Sequence, residues 1–78
     1  MQDATQIAET SPQLFETLSG REREILILIV AGQNNTEIAN TLHISRNTVK
    51  VHVRSILNKL GVEGRLQAAV AALRLGLL

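Results

Sequence analysis

The chain has 78 residues, room for one small domain, and although 45% are hydrophobic the only aromatic is Phe15, so a core of Leu, Ile, Val and Ala is expected, which favours packed helices over a sheet sandwich. It has no cysteine, which excludes a disulfide framework, a thiolate zinc site and a cysteine nucleophile together; no apolar run reaches membrane length and the polar start MQDATQ lacks the regions of a signal peptide, so a soluble, cytoplasmic protein is expected. Formal net charge is only +1, but Arg46, Lys50, Arg54 and Lys59 fall between Glu37 and Glu63 with no acid among them, whereas residues 1–18 hold Asp3, Glu9 and Glu16 and no Lys or Arg, an asymmetry that points to an anion-facing surface near 46–59.

Residues 1–17, with Ser11-Pro12 and scattered Thr and Gln, read as a leader or linker, with Leu14, Phe15 and Leu18 tucked against a domain that runs from 18 to 78. Ser19 and Glu22 stand at the spacing where a hydroxyl and a carboxylate each satisfy an orphan amide of a first turn, so a helix is predicted to start there. The run ILILIV that follows at 25–30 would suit a strand on propensity, and its unbroken apolar character has no period to settle the matter. The upstream cap and the downstream Gly32 decide for a helix of about 11 to 12 residues.

Asn34 and Glu37 repeat the capping pair, and Ile38, Ala39 and Leu42 share one face of a short second helix that ends at His43. His43 falls where the chain needs a turn, and a positive φ there suits His better than a β-branched residue. Ser45 can cap a third helix, leaving only about three residues between the two, which describes a helix-turn-helix.

The third segment alternates at first, with Val49, Val51 and Val53 between Lys50, His52 and Arg54, as a half-buried strand would. Over 45–60, however, Val49, Val53, Ile56 and Leu60 share one helical face, and Gly61 follows as a terminator with Lys59 in the last turn. On that helix Val51 points almost opposite to the buried face, beside Asn47, Arg54 and Asn58, with Lys50 at one edge. An outward methyl-bearing residue among forked donors and amides is what a major-groove reader offers to thymine, guanine and adenine edges. Thr48, His52 and Lys59 lie along one flank, with Arg46 at the helix start, placed for phosphate contact.

A fourth helix is predicted from Arg65, with Leu66, Ala69, Val70, Leu73 and Leu77 as its core stripe, ending near Gly76. Ala68, Ala72 and Leu75 form a second strip that could pair with another copy of the chain. The expected architecture is all-α, a four-helix bundle-like domain with a central helix-turn-helix. Each feature also has a plain reading: single exposed apolar residues are ordinary, and charge runs are mostly solvated faces. What raises the cationic run above that is its coincidence with the second helix of the tight pair. No metal site is expected, since His43 is the only companion in kind for His52, and no cofactor, since no phosphate-binding glycine loop exists. An enzyme is not expected, because nothing assembles a nucleophile, a base and an acid.

Taken together, LSGREREIL, NNTEIANTLHIS, NTVKVHVRSILNKLGV and RLQAAVAALRLGLL resemble the LuxR-type helix-turn-helix family, the DNA-binding domain of NarL-like response regulators, quorum-sensing regulators and some stand-alone regulators. The likeness runs from about Leu18 to the C-terminus. It implies a third helix that enters the major groove of double-stranded DNA and a fourth that forms a homodimer contact. By position it matches Lys50, Val51 and Arg54 to base-facing positions, Thr48 to a phosphate-contacting threonine and His52 to the histidine characteristic of the family's recognition helix. His43 replaces the glycine common in the family's turn, and Gly64 stands where Ser or Asn often caps the fourth helix. The resemblance also implies, for full-length relatives, a preceding receiver or ligand-sensing domain; this chain is either an effector domain or a stand-alone regulator, with RNA polymerase as a further candidate partner. Two other readings remain open: a protein-interaction module that takes an acidic partner, and a promoter-contacting region like that of a sigma factor.

Overall fold

The computed structural model describes residues 17–74 and Gly76. Four helices follow one another: α1 (Gly20–Val30), α2 (Asn35–Leu42), α3 (Arg46–Leu60) and α4 (Arg65–Arg74), with no strand among the described residues. Most of the leader, including Leu14 and Phe15, lies outside the described residues, whereas Leu18 is buried as expected.

Side-chain capping sets the first three helix starts. Ser19 Oγ accepts from the Glu22 amide at 3.1 Å while Glu22 Oε1 accepts from the Ser19 amide at 2.8 Å. Asn34 and Glu37 exchange the same pair of bonds, both at 2.8 Å, and Ser45 Oγ accepts from the Thr48 amide at 3.0 Å. Each bond removes an orphan donor that the helix cannot satisfy itself, worth about 1 kcal/mol per cap. At α4 the absent Ser or Asn cap is partly replaced by Gln67, whose Oε1 accepts from the Glu63 amide at 3.1 Å.

The turn between α2 and α3 spans His43, Ile44 and Ser45. His43 adopts φ 59° and ψ 44°, the left-handed region, and the Ile44 amide then reaches back to the Ala39 carbonyl at 3.1 Å. The conformation is obligatory for the tight corner, because a right-handed residue there would carry α2 onward.

The apolar run of α1 resolves into one helical face. Ile25, Leu26 and Ile29 are buried while Ile27 is half exposed, the periodicity of a helix and not of a strand. On α3, Val49, Val53 and Ile56 are buried in turn, and Ile38 and Ala39 of α2 join them in one core. Helix α3 packs against each of the other three helices, so it is the central element of the domain. Each fully buried Ile or Val contributes about 1.5–3 kcal/mol through area removed from water.

The fourth helix reverses the expected assignment of its faces. Ala68 and Ala72 are fully buried, whereas Leu66, Val70 and Leu73 of the expected core stripe are exposed. Small side chains one turn apart let α4 sit close on α1 and α3, and a leucine at either position would hold the helices apart. The dimerisation role expected of Ala68 and Ala72 is therefore withdrawn: both side chains are sealed inside the monomer. Leu75, the third member of that strip, and Leu77 lie outside the described residues.

Lys59, expected at a phosphate, is drawn into the fold instead. Its Nζ donates to Glu22 Oε1 at 2.9 Å and to the Thr17 carbonyl at 3.1 Å, tying the end of α3 to the start of α1. An ammonium committed to a nearly buried carboxylate is not free for a phosphate, so Lys59 leaves the expected set of DNA contacts. The Glu22 side chain is only 6% exposed. Burial alone would push its pKa up, but hydrogen bonds from Ser55, Lys59 and the Ser19 amide, with the Lys59 charge, outweigh burial and hold it at about 2, against an ordinary 4.5.

Because the folded carboxylate has the lower pKa, the stabilisation is complete above about pH 4.5 and is lost as pH falls through about 2, a loss on the order of 3 kcal/mol. Urea unfolding between pH 6 and 2 should show it, and Glu22→Gln should flatten the profile across that window. At the turn, His43→Gly should leave stability equal or higher, while His43→Val should lower it by about 1–2 kcal/mol, read from the same urea midpoints.

Candidate nucleic-acid interface

Burial of Val49, Val53 and Ile56 fixes the rotation of α3 about its own axis. At about 100° per residue, Val51 is then turned some 200° away from Val49, and it is 62% exposed. Asn47, Lys50, Arg54 and Asn58 are exposed with it, so the methyls stand among two cations and two amides. His52 is half-buried on the flank, and the exposed Thr48 hydroxyl lies 2.8 Å from that of Ser45.

The start of α3 differs from the other capped starts. Helices α1 and α2 carry Glu22 and Glu37 in their first turns, whereas α3 has no acid there and begins with Arg46. A cation at the positive end of a helix dipole is locally unfavourable. An external anion would relieve both charges, and unspent first-turn amides add donors for it.

The fold brings Arg46, Asn47 and Lys50 of α3 into one groove with Ser45 and with Asn35 and Thr36 at the start of α2. A second, smaller groove shares Asn35 and Lys50 with the first and is lined further by Val53, Arg54 and Leu57. Of the residues singled out from sequence, Arg46, Asn47, Lys50 and Arg54 thus line one continuous surface, with Val51 beside them on the outer face of α3. Lys59 is drawn to α1 instead. Asn35 and Thr36 were missed because the motif around them accounts for itself as a helix cap. Their approach to α3 depends on the tight turn, and a sequence pattern carries no sign of it beyond the predicted shortness of that turn.

Among the described residues no group of three or more His, Asp or Glu side chains is gathered as a metal site would need, and no helix is long and apolar enough to cross a membrane. The candidate interface sets cationic and amide donors around the exposed Val51, on the second helix of a helix-turn-helix.

That combination defines a helix-turn-helix DNA-binding domain of a transcription regulator. The family of bacterial regulatory proteins called luxR matches residues 16–72, and the chain belongs to it. The response regulator protein VraR of Staphylococcus aureus is 52% identical over 60 residues, 77% of this chain and 29% of the relative. The VraR proteins of Staphylococcus saprophyticus and Staphylococcus epidermidis match to the same extent. The chain thus spans less than a third of the length of these curated relatives. Among solved structures, that of the transcription factor GerE superposes with a TM-score of 0.69 at 47% identity, covering 76% of this chain and 88% of that one.

Proposed function

We propose that α3 lies in the major groove of double-stranded DNA and reads sequence there, with Lys50, Val51, Arg54 and Asn47 at base edges and Thr48, His52 and Arg46 on the phosphate side. The observation that carries this reading is the exposure of Val51 at the centre of a cationic face whose opposite side is locked into the core. Arg54 can present a fork of donors to guanine, Lys50 a point charge to guanine acceptors, and Val51 its methyls to thymine. Phosphate contacts supply affinity and register, and base edges supply the choice of site.

Assembly is part of the same proposal. Leu66, Val70 and Leu73, exposed at 76%, 40% and 64%, stand on the outer side of α4 and are the surface through which a homodimer forms on paired half-sites. They take the place of the alanine strip expected from sequence. The similarity to staphylococcal response regulators supports the domain acting in the cytoplasm as the output element of such a regulator, recruiting or obstructing RNA polymerase at its sites.

The base contacts are tested by binding of alanine variants to a selected site and to random duplex. Lys50→Ala and Arg54→Ala should each cost about 1–3 kcal/mol on the selected site and much less on random duplex; equal losses on both would count against base reading. Salt titrations separate the phosphate contacts: Arg46→Ala should make the slope shallower by about one, and Lys59→Ala should leave it unchanged. For assembly, Leu73→Glu should preserve the helical spectrum while reducing the stoichiometry on a two-half-site duplex from two domains to one at equal concentration. Unchanged cooperative filling of both half-sites would remove α4 from the dimer contact.

A further inference from the structure

Asn35 lines both grooves of the interface, as Lys50 does. Its amide is not free to turn. Arg65, the first residue of α4, donates from Nη1 to Asn35 Oδ1 at 2.8 Å and from Nη2 to the Gln33 carbonyl at 2.9 Å. A guanidinium has donors only. The amide oxygen must therefore face Arg65, and the amide nitrogen, with its two hydrogens, faces the other way. No acceptor among the described residues meets Asn35 Nδ2, and it is not among the buried polar atoms left without a partner, so it reaches solvent on the side away from Arg65. The acid nearest in sequence, Glu37, is folded back on the Asn34 amide at 2.8 Å.

We propose that Asn35 Nδ2 donates to one backbone phosphate of the bound duplex, alongside Arg46, and that Arg65 is the positioning residue that holds this amide donor-outward. The proposal rests on the DNA-binding reading above and adds a phosphate seat on α2 to it. The physical reason for Arg65 is the two-fold ambiguity of a carboxamide. An unpinned Asn presents its oxygen to the groove as readily as its nitrogen, and an oxygen facing a phosphate is repelled. The two-point grip of Arg65 on Asn35 and Gln33 removes the wrong orientation and also makes α4 the support of a DNA contact that it does not itself touch.

The test is a cycle between Asn35→Ala and duplexes in which single phosphates are replaced by neutral methylphosphonates. On intact DNA, Asn35→Ala should bind roughly three- to tenfold more weakly, by the same factor on selected and random sequence. The loss should vanish on the one duplex whose neutral linkage occupies the seat. An equal loss on every methylphosphonate duplex, or no loss on intact DNA, would overturn the seat. Arg65 is read separately in the free domain, by the side-chain amide resonances of Asn35. Arg65→Met should move them to the positions of a freely rotating amide while Arg65→Lys, still a donor, restores most of the difference; resonances unchanged in Arg65→Met would overturn the positioning role. Failure of the wild-type domain to bind duplex would sink the DNA-binding reading and the seat together, whereas wild-type binding with an additive cycle would sink the seat alone.

Discussion

The packing of Val49, Val53 and Ile56 against the rest of the core is the constraint on which the interface depends. A helix in solution has no preferred rotation about its axis, and the same residues on a free α3 would present every face in turn. Three buried β-branched side chains on one face remove that freedom: turning α3 by even a third of a revolution would bring Val49 or Ile56 into water and drive a cation into an apolar interior. The outward direction of Val51, Lys50 and Arg54 is thus a consequence of what lies on the other side of the helix.

The remaining helices serve that orientation in different ways. Helix α2 meets α3 through the corner at His43, where one left-handed residue sets the angle between them. Helix α1 holds the far end of α3 by an ion pair, Glu22 with Lys59, whose carboxylate also caps α1 itself. A nearly buried charge is tolerable there because three donors surround it, and the depressed pKa is the measure of how well they compensate for lost water. Helix α4 closes the core with alanines and so leaves its larger residues outside. Its first residue, Arg65, reaches across to the start of α2. The interface and the outer face of α4 are therefore parts of one packed unit, and a surface that pairs two copies would be carried on the same rigid body as the surface that meets DNA.

How far the site could be read in advance differs residue by residue. Ser19 with Glu22, Asn34 with Glu37, and Ser45 announced their helices because a cap is a local arrangement in which all partners lie within four positions of one another. The outward face of α3 followed from helical period once its length was known. Lys59 misled because its charge run suggested solvent and its true partner lies 37 positions away on α1. Asn35 passed unnoticed for the same reason in reverse, since its partner Arg65 is 30 positions distant. In α4 the apolar residues are spread around much of the helix, so periodicity alone could not select the buried side, and side-chain size decided it.

By itself the sequence determined what is local: the number of helices, their starts and stops, the tight corner, and the cationic outer face of the third helix. Such features arise from backbone amides seeking nearby acceptors and from the fixed angular step of a helix, and both operate over a few residues. Only the tertiary structure decided which lysine is committed within the fold, which side of α4 is covered, and which amide is turned toward the groove. These depend on distances between helices, and close packing assigns them by volume and by the pairing of charges that are far apart in the chain.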